Sequence, residues 1–263
     1  MPTIQNFVNK LSEYLRKNNK LEKIIKTLQN DYDLIPCIGV EIEFYLSKNI
    51  NHLELETLIG IKIKKEKGTN QFEIDLPPST SIINYIEQIN IAQSTIDIAT
   101  KKLKGFVDFS AKPFLHDYGN SMHFHMNFMT NNVPLDTLCQ SICHYMLDSF
   151  LVLAPKENDY LRFDKNFMAP TNVSFGANNR TVAIRIPDLS PRRFEHRIAN
   201  PLTDVYLTIF VILNSILLGL KYPSRINNIN KIYGNAFDEQ YNLTLLPKSL
   251  LEALNFFKLD FFT

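Results

Sequence analysis

The stretch Gly39-Val40-Glu41-Ile42-Glu43-Phe44 places two carboxylates at alternate positions of a short apolar run. A β-strand points residues i and i+2 to the same face, so Glu41 and Glu43 would share one face of a sheet. Two charges on an otherwise buried strand are costly unless a cation or hydrogen bonds compensate them. The stretch therefore predicts a strand that presents a pair of metal ligands.

A second stretch, Ser121-Met122-His123-Phe124-His125-Met126, repeats this alternation with two histidines. Both imidazoles would again point to one face of the sheet. Carboxylate oxygens combined with imidazole favour Mg²⁺ or Mn²⁺ over Zn²⁺. Taken alone, a Glu-x-Glu strand is more often a solvated edge, so the two patterns indicate a phosphoryl-handling metal site only when they are considered together.

The composition is that of an ordinary globular protein. Of 263 residues, 45% are hydrophobic and 21% are charged, and the formal net charge is +1, which gives no electrostatic footprint of a nucleic-acid binder. Three cysteines form no disulfide framework, which predicts a reducing, cytoplasmic location. The N-terminus has no signal-peptide pattern, and the apolar run 205–220 is shorter than the ~20 residues of a membrane span. We expect neither a nucleic-acid nor a membrane partner.

Hydrophobic periodicity divides the chain into strands and long helices. Helices are predicted over 4–31, from Ser79 past Ile96, and over 134–153, 201–220 and 248–257. Strands are predicted near 38–46, 59–66, 70–76, 106–110, 121–129, 172–176, 181–186 and 193–198, with Pro77-Pro78 ending the third. This order indicates an α+β fold with a mainly antiparallel sheet.

Five segments, in order, resemble the catalytic domain of the glutamine synthetase family. They are Gly39–Phe44, Glu66–Asp75, Lys112-Pro113 with Gly119–His125, Asn179–Pro187, and Arg193–Arg197 followed by Asn200-Pro201. Any one match is weak, but five in order that keep ligand-type residues are specific. The resemblance implies a curved, mainly antiparallel sheet with helices on its convex face, formed by residues 36–263 after an N-terminal helical segment, 1–35.

The resemblance also implies a role for each candidate residue. One Mg²⁺ or Mn²⁺ would be held by Glu43, Glu66 and Glu73, and a second by Glu41, His123 and Glu195, so that each site uses two or more ions. The nucleotide would contact His125, Arg193 and Asn127, and the transferring phosphoryl group would contact Arg180 and Arg185. The amino-acid substrate would be held by Arg162, Arg197 and Gly119.

The implied activity is ATP-dependent formation of γ-glutamyl phosphate from glutamate, followed by attack of an amine. Two departures from the family bear on the amine and the amino acid. Met168 stands where the family has the glutamate of a Glu-Ala-Pro sequence, so ammonia is expected to be a poor acceptor. Tyr118, Asn120 and Ser121 replace Asn, Ser and Gly, and Ser121 lacks the backbone freedom of glycine.

Two further hypotheses stay open at this stage. The chain could be a non-catalytic descendant that binds ATP or an amino acid, or a phosphotransferase similar to guanidino kinases. ATP turnover that depends on glutamate would separate the ligase from the non-catalytic descendant. A stable phosphorylated product would indicate the phosphotransferase. The family's β-rich N-terminal domain has no counterpart before residue 36, so we expect an oligomer smaller than a dodecamer.

Overall fold

The computed structural model describes residues 4–130 and 133–263, so the first three residues of the predicted segment 1–35 lie outside the description. Within the described residues, eight strands form one sheet. They are β1 Pro36–Leu46, β2 Ile63–Lys65, β3 Gln71–Ser79, β4 Val107–Asp108, β5 Met122–Phe128, β6 Phe175–Ala177, β7 Ile184–Ile186 and β8 Phe194–His196.

The sheet is open and almost entirely antiparallel, as the sequence predicts. Its order is β2-β3-β1-β5-β8-β7-β6, with β4 paired to the end of β1. Only the pair β6–β7 is parallel among the described strands. The long strand β1 lies between β3 and β5, so it is the strand on which the candidate ligands converge.

Eight α-helices accompany the sheet in the described part of the chain. They are α1 Ile4–Lys17, α2 Lys20–Tyr32, α3 His52–Ile59, α4 Ile82–Lys102, α5 Leu135–His144, α6 Met146–Leu153, α7 Val205–Lys221 and α8 Leu250–Phe256. Helix α4 packs on β1 and β3, and α7 packs on α2, α4, α5 and α6. None of the helices described is long and apolar enough to cross a membrane.

Strand β1 separates an apolar face from a polar one. Val40, Ile42 and Phe44 alternate along it and are at most 1% exposed, because they belong to the hydrophobic core beneath the helices. The intervening positions carry Glu41 and Glu43, which therefore point to the other face. The period of two that the sequence shows is thus the period of the folded strand.

Two of the predicted helices are each broken in two. The predicted helix 4–31 is interrupted at Asn19, whose φ of 51° is left-handed and ends the helical hydrogen bonding. The predicted helix 134–153 is interrupted at Tyr145, between α5 and α6. Asparagine tolerates the left-handed region better than most residues, which accounts for the first break.

The sequence patterns do not predict helix α3. The strand predicted over 59–66 is shorter in the structure, where it is β2, Ile63–Lys65. The local signals for α3 are present: the Asn51 side chain accepts a hydrogen bond from the Leu53 N–H, and Gly60 ends the helix at φ 69°. The prediction that Pro77-Pro78 ends a strand is also wrong. Strand β3 continues to Ser79, and its last residues lie beyond β2 at a free edge, where proline costs no ladder hydrogen bond.

The remaining differences are in element boundaries. The predicted helix 201–220 begins at Val205, because the Asp204 side chain caps it by accepting from the Leu207 N–H. The strands in the second half of the sheet are each three residues long, shorter than predicted.

Candidate active site

Four neighbouring strands, β3, β1, β5 and β8, bring the acidic and imidazole side chains together. In the antiparallel register, Glu43 of β1 is opposite Glu73 of β3, and Glu41 is opposite His123 of β5. The His123 Nδ1 lies 3.2 Å from Glu41 Oε2 and 3.6 Å from Glu195 Oε1 of β8. These carboxylates therefore converge on one imidazole from two sides.

Two of the carboxylates are stabilised in their charged form. Burial would raise the pKa of Glu41, but contacts with His123 and His125 outweigh it and hold that pKa well below its usual range. Burial likewise opposes ionisation of Glu195, but Arg197, whose Nη1 donates to Glu195 Oε1 at 2.6 Å, brings the pKa of Glu195 to about 2. Both groups are anionic at neutral pH.

The other two carboxylates of the β1–β3 pair lack such compensation. Burial, and after it the charges of Glu41 and Glu43, raise the pKa of Glu73 to about 9. Burial also raises the pKa of Glu43, although its Oε2 accepts a 2.7 Å hydrogen bond from the Ser121 N–H. The nearest cation to Glu73 is Lys64, at 3.8 Å, and that ammonium also pairs with an exposed aspartate.

These residues fit a divalent cation. Ligand atoms of Glu41, Glu73 and His123 lie within 4.8 Å of one another, and each is wholly or partly buried. The His123 Nε2 is buried with no hydrogen-bond partner. Crowded carboxylates with one held protonated, beside an unpartnered imidazole nitrogen, are the donor set that an oxygen-preferring cation would neutralise.

A second cluster, Glu41, His125 and Glu195, also has ligand atoms within 4.8 Å. Here the imidazole is constrained, because Nε of Arg193 donates to His125 Nδ1 at 3.2 Å. A guanidinium only donates, so Nδ1 accepts and Nε2 carries the hydrogen. The buried Nε2 lies 3.0 Å from Glu41 Oε1 but makes no hydrogen bond among the described residues, so its N–H is left for a group that enters the site.

This grouping differs from the sequence-based assignment of the ligands. Glu41 belongs to both clusters, whereas Glu43 and Glu66 belong to neither. Glu43 is turned toward Ser121, and Glu66 lines the same cavity from the turn before β3.

The arginines surround this carboxylate group. Arg185 on β7 donates through Nη1 to Glu195 Oε2 at 2.9 Å and through Nη2 to Asn178 Oδ1 at 2.7 Å. Arg180 is exposed and lines the cavity from the loop before β7. Arg193 lines an adjoining cavity of about 300 Å³ together with His125 and Asn127. The arrangement surrounds a carboxylate-rich floor with guanidinium groups of the kind that bind phosphate.

The residues expected to hold an amino acid lie at one end of the cavity that the carboxylates line, which has a volume of about 310 Å³. Arg162 and Arg197 line this end beside Gly119. A Cβ at Gly119 would lie 2.5 Å from Arg162 Cγ and 2.6 Å from the Ala111 carbonyl oxygen. Glycine is needed at position 119 for this close approach rather than for a special φ.

A buried amide pair, which the sequence did not reveal, holds this end of the cavity in place. Asn120 is fully buried and donates through Nδ2 to the carbonyls of Asp108, at 3.0 Å, and Ser110, at 2.9 Å. Gln71 donates through Nε2 to the Gly119 carbonyl at 2.9 Å and to Asn120 Oδ1 at 3.2 Å. The two carboxamides join the turn before β3 to the loop before β5.

Part of the cavity lining is apolar. Tyr118, Phe167 and Met168 belong to it, and the rings of Tyr118 and Phe167 meet edge to face with centroids 5.4 Å apart. The Lys112 ammonium lies 3.6 Å from the Phe167 ring centroid, which ties the two loops together. The carboxylates that line the cavity are Glu41, Glu43, Glu66, Glu73 and Glu195, which come from the strands and from the turn before β3. Met168 contributes no anion to this lining.

Comparison with known proteins agrees with this geometry. The model of the glutamine synthetase catalytic domain matches residues 53–263. The chain belongs to this family. Strand β1 precedes the matched residues but pairs with β3 and β5 inside them.

Curated relatives are similar over most of this chain. The chain is 27% identical to gamma-glutamylputrescine synthetase PuuA of Escherichia coli (strain K12), over 90% of its length and 58% of the relative's. It is 28% identical to glutamine synthetase of Thermococcus kodakarensis (strain ATCC BAA-918 / JCM 12380 / KOD1), over 91% of its length and 64% of the relative's. The chain thus spans about 60% of the length of these two relatives.

Solved structures show the same fold. A structure titled as a GmaS/ADP complex superimposes with a TM-score of 0.75 over 90% of this chain and 66% of that chain, at 19% identity. A second, titled as apo GmaS without ligand, gives a TM-score of 0.76 over 92% of this chain and 67% of that chain. The glutamine-synthetase-type fold expected from the sequence is confirmed.

Proposed function

We propose that this chain carries the catalytic machinery of an ATP-dependent carboxylate–amine ligase, and that its acceptor is an amine other than ammonia. The observation that carries the proposal is the cavity itself. Its lining combines five carboxylates and His123 with four arginines, and it includes Met168 where the family has a glutamate. The name of one relative, gamma-glutamylputrescine synthetase, agrees with an acceptor larger than ammonia.

The proposed reaction has two steps. An oxygen of the glutamate γ-carboxylate attacks the γ-phosphorus of ATP, the bond to the bridging oxygen breaks, and ADP leaves. The amine nitrogen then attacks the γ-carbonyl carbon, a C–N bond forms, the C–O bond to phosphate breaks, and the nitrogen loses a proton. Divalent cations, when bound, supply charge neutralisation and a template for the phosphates.

Each group of residues has a role that its geometry supports. The cations would be held by Glu41, Glu73, His123 and Glu195. Glu43 and Glu66 would line the same cavity near them. His125, fixed by Arg193 as an Nε2 donor, would donate to a phosphate oxygen, near Asn127 in the adjoining cavity. Arg180 and Arg185 would stabilise the phosphoryl group in transfer. Arg197 and the Gly119 end of the cavity would receive the amino acid.

The test is a coupled assay for ADP formation with Mg²⁺ or Mn²⁺, glutamate and a panel of acceptors: ammonia, hydroxylamine, methylamine and putrescine. We expect ADP formation that requires glutamate and is fastest with an alkylamine, and a γ-glutamylamide detectable by mass spectrometry. Binding of ATP without turnover for any acceptor would contradict the ligase and support a non-catalytic descendant. A stable phosphorylated product without a C–N bond would indicate a phosphotransferase instead.

A further inference from the structure

Ser121 contacts two candidate site residues at once. Its N–H donates to Glu43 Oε2 at 2.7 Å, and its hydroxyl accepts from Arg162 Nη1 at 3.2 Å. The family favours glycine at this position, but the backbone of Ser121 is outside the left-handed region, so serine causes no strain here. What distinguishes this chain is therefore the hydroxyl group and its bond to Arg162.

The guanidinium of Arg162 donates most of its hydrogen bonds to acceptors within the protein. Arg162 is 2% exposed, and burial lowers its pKa to about 10, so it is still a cation at neutral pH. Nη1 donates to Ser121 Oγ and, at 3.4 Å, to the Arg197 carbonyl. Nη2 donates to the carbonyls of Arg197, at 3.5 Å, and Ile198. Both Nη nitrogens thus have acceptors, and within the described part of the chain the buried Nε has none.

Arg197 differs from Arg162 in this respect. Its Nη1 donates to Glu195 Oε1, its Nε has no partner, and no hydrogen bond of its Nη2 is found among the described residues. Both arginines line the same cavity. Arg197 therefore has an Nη2 group left for a substrate carboxylate, whereas both Nη groups of Arg162 are already engaged and can be offered only by giving up a bond.

We propose that Ser121 is a specificity-determining residue that withdraws Arg162 from the substrate. The inference rests on the proposed function and concerns the amino-acid substrate rather than the acceptor. With one Nη1 hydrogen directed to the Ser121 hydroxyl, the α-carboxylate of glutamate is held by Arg197 alone. The cavity then distinguishes less sharply between glutamate and a γ-carboxylate compound without an α-carboxylate than it would with both arginines free.

The experiment compares two ligands and three substitutions. Ser121→Ala and Ser121→Gly remove the hydroxyl. Ser141→Ala is the matched control, since Ser141 is also a buried serine and its hydroxyl donates to the Thr137 carbonyl within α5. Calorimetry titrates the full chain, loaded with Mn²⁺ and ADP, with L-glutamate or with 4-aminobutyrate, which is glutamate without its α-carboxylate. Melting temperatures verify that every variant is folded.

We expect both Ser121 variants to bind glutamate about tenfold more tightly, the effect of one hydrogen bond to a charged group, while affinity for 4-aminobutyrate and for Mn²⁺ is unchanged. Ser141→Ala should leave all affinities unchanged. An equal gain for both ligands, or no gain for glutamate, would overturn the inference.

The titration, taken together with the assay for ADP formation, separates this inference from the proposed function. Glutamate-dependent ADP formation with an unchanged ratio of the two affinities would overturn the inference alone. If the unmodified chain and all variants bind Mn²⁺ and ADP but neither amino compound, both fail. Glutamate binding that appears only in the Ser121 variants would support the inference strongly.

Discussion

His123 and Glu41 stand directly opposite each other in the antiparallel pair β1–β5, with Nδ1 of the imidazole 3.2 Å from Oε2 of the carboxylate. Because Glu41 also lies 3.0 Å from the His125 Nε2, one carboxylate bridges both histidines of the strand. Glu73, which stands opposite Glu43 on the neighbouring strand β3, is paired only with the shared ammonium of Lys64 among the described residues, and its pKa is raised. The uncompensated side of the site is therefore the side where a cation would contribute most.

Divalent cations should stabilise the folded chain. A ligand that binds only the folded state adds about 2.7 kcal/mol when present at 100 times its Kd. We expect Mn²⁺ or Mg²⁺ to raise the melting temperature, further with ATP, and Glu73→Gln to remove most of that gain. Glu87→Gln, an exposed glutamate on α4, is the control. Identical melting curves with Mn²⁺ and with a chelator would refute the metal site.

Without metal, stability should fall as the pH rises from 7 to 9. Folded Glu73 keeps its proton up to a pKa of about 9, whereas an unfolded glutamate loses it near ~4.3. The folded state then binds more protons, so the free energy of unfolding decreases with pH across this window. The fully buried His196, whose pKa is lowered to about 3, affects only lower pH.

Urea unfolding in a chelator at pH 7, 8 and 9 measures this slope. Glu73→Gln mimics the protonated acid and should flatten the slope, while Glu87→Gln should leave it as in the unmodified chain. A slope that survives in Glu73→Gln would mean that another group carries the proton.

The strand-borne part of the site could be predicted from sequence because it is local. Alternation along β1 and β5 is enough to place Glu41 with Glu43, and His123 with His125, on single faces. The order of the motifs then brings these strands together. One difference from the family also has a local explanation. Asn70 stands where the family has glycine, and its φ of 62° lies in the left-handed region, which asparagine tolerates.

The rest of the site depends on contacts between distant segments. The hydrogen position on His125 is set by Arg193, which lies 68 residues away in sequence. The engagement of Arg162 depends on Ser121, 41 residues away, and on backbone carbonyls of the segment after β8. No periodicity in the sequence encodes such pairings. The resemblance therefore assigns Arg162 to the substrate carboxylate, but it does not reveal that this guanidinium already donates hydrogen bonds to Ser121 and to backbone carbonyls.

Removing the Asn120 carboxamide should destabilise the chain. Asn120→Ala would leave the partly buried carbonyls of Asp108 and Ser110, and one N–H of the buried Gln71 side chain, without their partner. Unsatisfied buried groups cost about 1–3 kcal/mol each, so we expect a loss of about 3 kcal/mol in the free energy of unfolding. Urea denaturation measures it, with the exposed Asn84→Ala as a control expected within about 0.5 kcal/mol of the unmodified chain. A loss as small as the control's would show that water replaces the network.

Restoring a carboxylate at Met168 should change the choice of acceptor. Ammonium binding requires nearby negative charge and a base within hydrogen-bond reach, and a thioether supplies neither. Met168 lines the cavity beside Phe167 and contributes no anion to it. We expect Met168→Glu to raise kcat/KM for ammonia by about tenfold or more and to lower it for alkylamines, because the new charge occupies apolar space.

Phosphate release with ammonia and with methylamine, at fixed ATP and glutamate, measures both changes. Met129→Glu, at a position 64% exposed beyond β5, introduces the same charge away from the cavity and should alter neither. If the unmodified chain already uses ammonia at ~1–10³ per second, the ordinary range for enzymes, Met168 does not set the acceptor. If Met168→Glu leaves the ratio of the two amines unchanged while both support turnover, the acceptor is chosen elsewhere in the cavity.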